Sequence, residues 1–134
     1  MGFKMIIYVD IDETICRSPT TREYQYAAPI VSNIEKINEF YDAGNTIVYW
    51  TARGTGSGID WREVTEKQFK EWGVKYHELR FGKPIYDLFI DDKNINAETF
   101  FIYKIHTLKT QRAMLLEEYC IEKLDTKGEK NEII

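Results

Sequence analysis

Asp10 and Asp12 stand one residue apart at the end of a short apolar run, and Thr14 follows at the same spacing. Two carboxylates and a hydroxyl placed in this way suggest a metal-assisted catalytic pair, although acidic residues after a strand often only cap the next turn. A calcium loop explains the pattern less well, because its sixth position requires Gly and its twelfth a bidentate Glu, where this chain has Ile15 and Thr21. The aspartate pair is therefore the first candidate for chemistry.

The segments around this pair must place it at the edge of a sheet. Residues 6–9 are apolar and largely β-branched, which predicts a strand covered on both faces in a parallel sheet. Asp10 then stands at the carboxyl end of that strand, where open α/β sheets bind their ligands. A second apolar run at 46–50 predicts another strand, and it ends in Thr51.

A third apolar run, at 86–90, ends in the acidic pair Asp91 and Asp92, and Lys83 lies shortly before it. We therefore expect three strands that direct their chemistry to one edge of the sheet. Between the strands, apolar residues recur at helical spacing, so that the order alternates as a doubly wound α/β domain should. The other predicted elements are helices over 29–41, 60–72, 96–101 and 107–124 and a strand over 74–79.

The order of these motifs, Asp-x-Asp-x-Thr, strand-Thr, Lys and strand-Asp-Asp, resembles the haloacid dehalogenase-like superfamily of phosphohydrolases. The resemblance covers roughly residues 5–100 and implies a three-layer, doubly wound parallel sheet of the Rossmann-like kind. It also implies phosphoester hydrolysis through an aspartyl-phosphate. Asp10 would be the nucleophile, and Asp12 would protonate the leaving oxygen and then deprotonate the attacking water.

The same resemblance implies a Mg²⁺ ion. Its ligands would be the Asp10 carboxylate, the Asp12 backbone carbonyl and the Asp91 carboxylate, with Asp92 as a direct or supporting neighbour. Thr14 is a further supporting residue. Such a cation would neutralise phosphoryl oxygens that otherwise repel an attacking carboxylate.

Four residues are implied in phosphate binding. Thr51 would donate its hydroxyl to a phosphoryl oxygen, with Ala52 next to it, and Lys83 would supply a compact positive charge. The alternative for Lys83 is a solvated loop cation. Arg53 suits an anionic group beside the phosphate.

Two features depart from the common pattern of the superfamily. Glu13 follows Asp12 where Gly is frequent, a variant shared with capless phosphatases that act on the phosphorylated tail of RNA polymerase. The Gly-rich loop 54–58 follows the phosphate-binding threonine. Its backbone could approach the substrate closely, or it could be an ordinary connection in which Asp60 caps the next helix.

The chain has 134 residues, and we expect one domain over 1–124 followed by a charged tail over 125–134. The gaps between motifs, 15–28 and 52–82, leave no room for the cap domain that many members of the superfamily insert. The first gap is instead an aromatic flap that either lines the substrate or packs against the domain. A capless site is open to bulky substrates or is closed by a neighbouring subunit, which makes a homo-oligomer plausible.

Composition excludes several classes of partner. The net charge of −4 argues against non-specific nucleic-acid binding, and no apolar run approaches the length of a membrane span. Without a secretory pattern at the N-terminus, we expect a cytoplasmic protein. Cys16 and Cys120 are too few to build a disulfide framework and are expected to be reduced.

The segments 50–54, 82–84 and 86–93 look similar to small phosphatases of bacterial capsule and lipopolysaccharide biosynthesis. This implies a sugar phosphate, or a phosphorylated amino-alcohol conjugate of a sugar, as the substrate. A capless phosphoprotein phosphatase and a non-catalytic assembly module with the same fold are the alternatives. A glycosidase that uses the aspartate pair would work without Mg²⁺.

Overall fold

The computed structural model describes residues 4–102, which form one compact unit, Lys4–Ile102. Short strands alternate with helices along this unit, apart from a small hairpin after the first strand. In chain order the elements are β1 (Ile6–Val9), β2 (Cys16–Arg17), a 3₁₀ turn (Tyr24–Tyr26), β3 (Ala28–Pro29), α1 (Val31–Asp42), β4 (Thr46–Thr51), α2 (Arg62–Trp72), β5 (Glu78–Phe81) and α3 (Ala97–Ile102).

The main sheet is parallel and has the order β1-β4-β5. Val9 at the end of β1 pairs with Tyr49 of β4, and Thr51 at the end of β4 pairs with Phe81 at the end of β5. Because parallel strands run in one direction, the residues that follow β1, β4 and β5 emerge at the same edge. Asp10 comes directly after β1 and Lys83 comes two residues after β5, so both lie at this edge. The mixed α/β class and the parallel arrangement of these strands are as predicted.

The central strand β4 carries the core of the described unit. Ile47 and Tyr49 are fully buried, as expected for a strand enclosed by neighbours on both sides. The α1 helix contributes Ile34, Ile37 and Phe40 at helical spacing to the buried set. The ring of Phe69 on α2 meets Tyr49 edge to face at 5.0 Å. The two helices therefore bury their apolar stripes and hold β4 in position.

Most element predictions are confirmed. The helices expected at 29–41 and 60–72 correspond to α1 and α2, and the short helix at 96–101 corresponds to α3. Asn96 caps α3, since its Oδ1 accepts a hydrogen bond from Glu98 N at 2.9 Å. The strand expected at 74–79 begins later, as β5. The predicted helix 107–124 and the tail 125–134 lie outside the described residues.

Two predictions about strands are wrong. β1 is not covered on both faces, because Ile6 and Tyr8 are 72% and 48% exposed. No strand forms at 86–90, where Leu88 and Ile90 are 75% and 84% exposed.

The physical reason lies in the segment that precedes the run. Gly82 takes a positive φ of 88°, and Pro84 has no N–H to donate to a ladder, so the chain leaves the sheet after β5. Within residues 4–102, β1 pairs with β4 alone, and its other edge receives no strand. The apolar run at 86–90 is therefore exposed and unpaired in the main sheet.

The predicted flap is a small antiparallel hairpin. Strands β2 and β3 pair through Cys16 with Pro29 and Arg17 with Ala28, and the 3₁₀ turn lies between them. None of the helices in residues 4–102 is both long and apolar enough to cross a lipid bilayer.

Candidate active site

Asp10 and Lys83 face each other at the carboxyl edge of the sheet. Lys83 Nζ lies 3.6 Å from Asp10 Oδ1, and the lysine side chain is only 15% exposed. The backbone fixes this approach, because Lys83 N donates to the Thr51 carbonyl at 3.0 Å and so extends the contact between the segments after β4 and β5. Burial raises the pKa of Asp10, and the charge of Lys83 opposes that rise. The two predicted residues are brought together as a carboxylate and its cation.

Thr51 ends β4 and is fully buried. Its Oγ1 accepts a hydrogen bond from Arg53 N at 3.1 Å. A threonine hydroxyl also carries one hydrogen of its own, which remains available for donation to an oxygen at the sheet edge. Because Thr51 has no exposed surface, its contact to a phosphoryl oxygen stays a prediction.

Asp12 is held by several donors. Arg53 Nε lies 3.0 Å from its Oδ2 and 3.2 Å from its Oδ1, and Arg53 Nη2 lies 2.9 Å from Oδ1. The Ser18 hydroxyl and the Cys16 thiol also point to Oδ1. The carboxylate is 21% exposed, so it remains accessible while its orientation is fixed.

Arg53 does not take the position expected for a phosphate ligand. Its side chain has no exposed surface and forms an ion pair with Asp12. Nη1 donates to Thr65 Oγ1 at 2.9 Å and to Gln68 Oε1 at 2.7 Å, both on α2. The guanidinium also lies 4.8 Å from the ring centroid of Tyr24 in the flap. Arg53 therefore ties the aspartate pair to α2 and to the flap, and loss of one partner of such a buried pair costs about 3–5 kcal/mol.

The turn after the aspartate pair is locked from within. Glu13 adopts a positive φ of 62°, a conformation that favours Gly, the residue frequent here in the superfamily that the motif resembles. Its Oε2 accepts from Ser18 N at 3.0 Å, which anchors the hairpin. Thr14 supports the same turn, since its N donates to Ile11 O at 3.1 Å and its carbonyl accepts from Asn33 Nδ2 at 2.9 Å.

The Gly-rich loop folds on itself and on the lysine segment. Thr55 N donates to the Ala52 carbonyl at 2.9 Å, and Thr55 Oγ1 donates to the Lys83 carbonyl at 2.9 Å. Asp60 Oδ1 accepts from Arg62 N at 3.0 Å just before α2, although the N-cap residue itself is Trp61. The loop thus joins the segments that follow β4 and β5.

A cavity of about 190 Å³ lies between this loop and the end of β5. It shares Arg53 with the Asp12 cluster, and Gly82 at its edge directly precedes Lys83. Its other lining residues are Gly54, Thr55, Ile59, Asp60, Trp61 and Phe81. The cavity is therefore a partly apolar space that Arg53 joins to the Asp12 cluster, although neither Asp10 nor Asp12 lines it.

Asp91 and Asp92 are not brought to this site. Both are exposed; Asp91 Oδ2 accepts from Lys93 N at 3.3 Å, and Asp92 pairs with Lys93 Nζ at 3.0 Å. Within residues 4–102, no three His, Cys, Asp or Glu side chains form a group that could hold a metal ion. The predicted oxygen ligands are thus gathered only in part, with Asp10 and Asp12 near each other and Asp91 apart.

Sequence analysis missed the residues that fix Arg53. Thr65 and Gln68 are polar yet buried on α2. A buried Gln beside the core residue Phe69 is the signal that could have found them, because a polar group on a helix face that packs inward needs a partner. Ser18, which bonds Asp12 from the flap, carries no comparable signal in the sequence.

No protein-family model and no curated protein matches the chain. Among solved structures, it is similar to the crystal structure of an MCSG target from Vibrio cholerae, with 27% sequence identity and a TM-score of 0.64. The match covers 73% of this chain and 87% of that one. The comparison therefore supports the α/β architecture.

Proposed function

We propose that this protein is a small, capless phosphatase of the haloacid dehalogenase-like kind that hydrolyses a phosphate monoester through an aspartyl-phosphate. The approach of Lys83 Nζ to Asp10 Oδ1, 3.6 Å at the carboxyl edge of a parallel sheet, carries the proposal. A carboxylate beside a fixed cation is suited to attack on an anionic phosphoryl group, which a carboxylate alone repels. The finer fold assignment, a doubly wound three-layer sheet, belongs to the same proposal.

In the first half-reaction, an Asp10 carboxylate oxygen attacks phosphorus while the bond from phosphorus to the leaving oxygen breaks. Lys83 and the Thr51 hydroxyl would stabilise the charge on the equatorial phosphoryl oxygens. The leaving oxygen takes a proton, which Asp12 would supply. The products of this step are the free alcohol and an aspartyl-phosphate on Asp10.

In the second half-reaction, water attacks the phosphorus of the aspartyl-phosphate, and Asp12 accepts the proton of that water. The bond between the Asp10 oxygen and phosphorus then breaks, and inorganic phosphate leaves. Asp12 has returned to its starting form by the end of the cycle. One residue thus serves both half-reactions.

Mg²⁺ is part of the proposal because a phosphate monoester carries charge that an oxygen-bound cation neutralises. The Asp10 carboxylate and the main-chain oxygen of Asp12 are the groups that would hold it. Asp91, the third expected ligand, lies apart from them, so the metal requirement and the role of Asp91 need separate measurements.

If the leaving group enters the cavity lined by Arg53 and Gly82, a small group would fit best. Its volume of about 190 Å³ is below the range of about 300–1,000 Å³ typical of drug-sized ligands. Aromatic walls from Trp61 and Phe81 with the Asp60 carboxylate suit a hydroxylated or amino-bearing group. This is in keeping with a sugar phosphate or a phosphorylated amino-alcohol conjugate of surface polysaccharide synthesis.

The first experiment is phosphate release across a panel of sugar phosphates, amino-alcohol phosphates, nucleotides and phosphopeptides, with Mg²⁺ and with EDTA. We expect turnover of a small metabolite, dependence on Mg²⁺, and at least a thousandfold loss in Asp10→Asn, since covalent catalysis needs the nucleophile. Asp87→Asn, an exposed carboxylate outside the cluster, is the matched control and should retain full activity.

Two results would contradict the proposal. If Asp10→Asn retained nearly the wild-type kcat, the nucleophile assignment would be wrong. Activity that persisted undiminished in EDTA would show that the mechanism does not use Mg²⁺.

The role of Asp91 is tested separately. A fall in Mg²⁺ affinity in Asp91→Asn would identify Asp91 as a ligand.

A further inference from the structure

The guanidinium of Arg53 uses all of its hydrogen-bond donors within the protein. An arginine side chain has five N–H groups. Nε serves the Asp12 carboxylate, the two hydrogens of Nη1 serve Thr65 and Gln68, and those of Nη2 serve Asp12 and the Cys16 thiol at 3.7 Å. No donor is left for a phosphoryl oxygen.

Residues of α2 and the flap enclose the hydrogen bonds that Arg53 makes with Thr65 and Gln68. Gln68 is buried and, besides accepting from Arg53, donates from Nε2 to the Tyr24 carbonyl at 2.6 Å. Tyr24 in turn meets Trp61 edge to face at 5.1 Å. Because α2 and the flap both hold this network, Arg53 cannot turn toward the sheet edge without leaving several buried polar groups unpaired.

The two carboxylate oxygens of Asp12 accept different numbers of hydrogen bonds. Oδ1 accepts from Arg53 Nη2, from the Ser18 hydroxyl and from the Cys16 thiol, in addition to a long contact from Arg53 Nε. Oδ2 accepts from Arg53 Nε at 3.0 Å, and the described residues provide it with no other donor. A carboxylate oxygen has two acceptor positions, so Oδ2 keeps one open.

We infer that Arg53 is a positioning residue: it fixes the Asp12 carboxylate and leaves Oδ2 as the oxygen through which Asp12 acts, and it does not itself bind the substrate phosphate. This inference rests on the proposed function for the role of Asp12. It assigns the phosphate contacts to Thr51 and Lys83 alone among the predicted polar side chains.

The test compares turnover with phosphate affinity in Arg53→Lys. Lysine keeps the charge but cannot span both the carboxylate and the α2 anchors. We expect kcat to fall by about 100-fold, because a small displacement of a catalytic group has an effect of that order. The inhibition constant of inorganic phosphate and the KM should stay within about threefold of wild type. Lys67→Gln is the matched control, because it removes an exposed cation from α2, the helix that anchors Arg53.

A second pair of variants keeps the inference testable if Arg53→Lys does not fold. Gln68→Leu and Thr65→Val remove the anchors of Nη1 and leave the ion pair with Asp12 in place. Each should lower kcat without weakening phosphate inhibition, although neither residue touches substrate. In an Asp12→Asn background, the same changes should have little further effect on kcat, because their influence runs through Asp12.

The outcomes separate this inference from the proposed function. If the wild type releases no phosphate from any substrate, the proposed function fails, and calorimetric binding of inorganic phosphate then decides the role of Arg53. Equal affinity in wild type and Arg53→Lys supports the inference in that case. A loss of phosphate affinity that parallels the loss of kcat would overturn it and make Arg53 a phosphate ligand.

Discussion

Cys16 lies fully buried between the aspartate pair and Arg53. Its Sγ is 3.6 Å from the Ile11 carbonyl and 3.5 Å from Asp12 Oδ1, either of which can accept the single thiol hydrogen. Burial, with a smaller effect from the Asp12 carboxylate, raises the pKa of the Cys16 thiol to about 12. The thiol is therefore protonated at neutral pH, although the guanidinium of Arg53 is close by.

We predict that Cys16 resists alkylation by iodoacetamide in the folded protein at pH 8, since the thiolate is the reactive form. The measurement uses a Cys120→Ser background, so that Cys16 is the single thiol, and follows the adduct by mass spectrometry. Denaturant should restore an ordinary rate. Alkylation of the folded protein at the rate of the unfolded chain would refute the prediction.

The same shift sets the direction of a pH effect on stability. The folded-state pKa of Cys16 exceeds the value of about 8.5 for an unfolded cysteine, so the folded state binds the proton more tightly. The contribution is fully present below pH 8.5 and is lost as the pH rises toward 12. Titration of this thiol therefore opposes folding only in alkaline solution.

At the residue scale, the sequence was sufficient for groups that stand at strand ends and insufficient for Arg53. Asp10 and Thr51 could be placed because Asp10 follows β1 and Thr51 ends β4, whereas Lys83 was expected before a strand at 86–90 and instead follows β5. The role of Arg53 depends on Asp12, 41 residues away, and on a buried face of α2. The residues around Arg53 in the sequence do not show whether its guanidinium binds a carboxylate of the protein or a substrate phosphate.

Among the elements, the loop between β4 and α2 depends on Gly54. This residue has a φ of +83°, and a Cβ placed on it would come within 2.1 Å of the Ile59 carbonyl. Gly58 N also donates to the Gly54 carbonyl at 2.8 Å. The loop can therefore close in this form only if the position carries no side chain.

We predict that Gly54→Ala lowers both stability and the proposed phosphatase activity, because the loop that joins Thr51 to the Lys83 segment must open. Gly58→Ala is the matched control: its φ is +80°, but an added Cβ meets nothing within 4 Å, so it bears only a backbone strain of about 1–2 kcal/mol. Chemical denaturation and kcat measure the difference. Equal effects of the two substitutions would show that the contact with Ile59 is unimportant.

Helices whose apolar residues recur at helical spacing were predictable from the sequence. The strand predicted at 86–90 does not form, although its residues are as apolar as those of a buried strand. The run at 86–90 is apolar enough for a buried strand, and within residues 4–102 one edge of β1 is open, yet propensity does not determine whether the backbone pairs there. The helices α1 and α2 succeeded because their apolar stripes find β4 and their ends carry local signals, such as Gly73 with a φ of +71°. Pairing between segments that are distant in the chain could not be predicted from the sequence alone.

Within residues 4–102, the segment from Ile85 to Ile90 contains five exposed large apolar side chains. Its large side chains are 43% to 84% exposed, and it belongs to no helix or strand. Backbone that is unpaired and exposed is accessible to proteases, whereas a strand inside a sheet is protected.

We therefore predict that, within residues 4–102, chymotrypsin cuts first after Tyr86, Leu88 or Phe89. Limited digestion followed by mass spectrometry locates the cut. A variant with alanine at these three positions is the control and should keep the 4–102 segment intact for much longer. An earlier cut elsewhere in that segment would contradict the predicted exposure.

The pairing of β1 with β4 has a consequence for the speed of folding. Ile6 pairs with Thr46, and the Asp12 carboxylate meets Arg53 across 41 residues of chain. Contacts this distant must wait for large loops to close, which makes parallel topologies slow to form. The contact between Asp12 and Arg53 should therefore form at the end of refolding. Regain of the proposed phosphatase activity after dilution from denaturant should coincide with the slowest phase rather than with early helix formation.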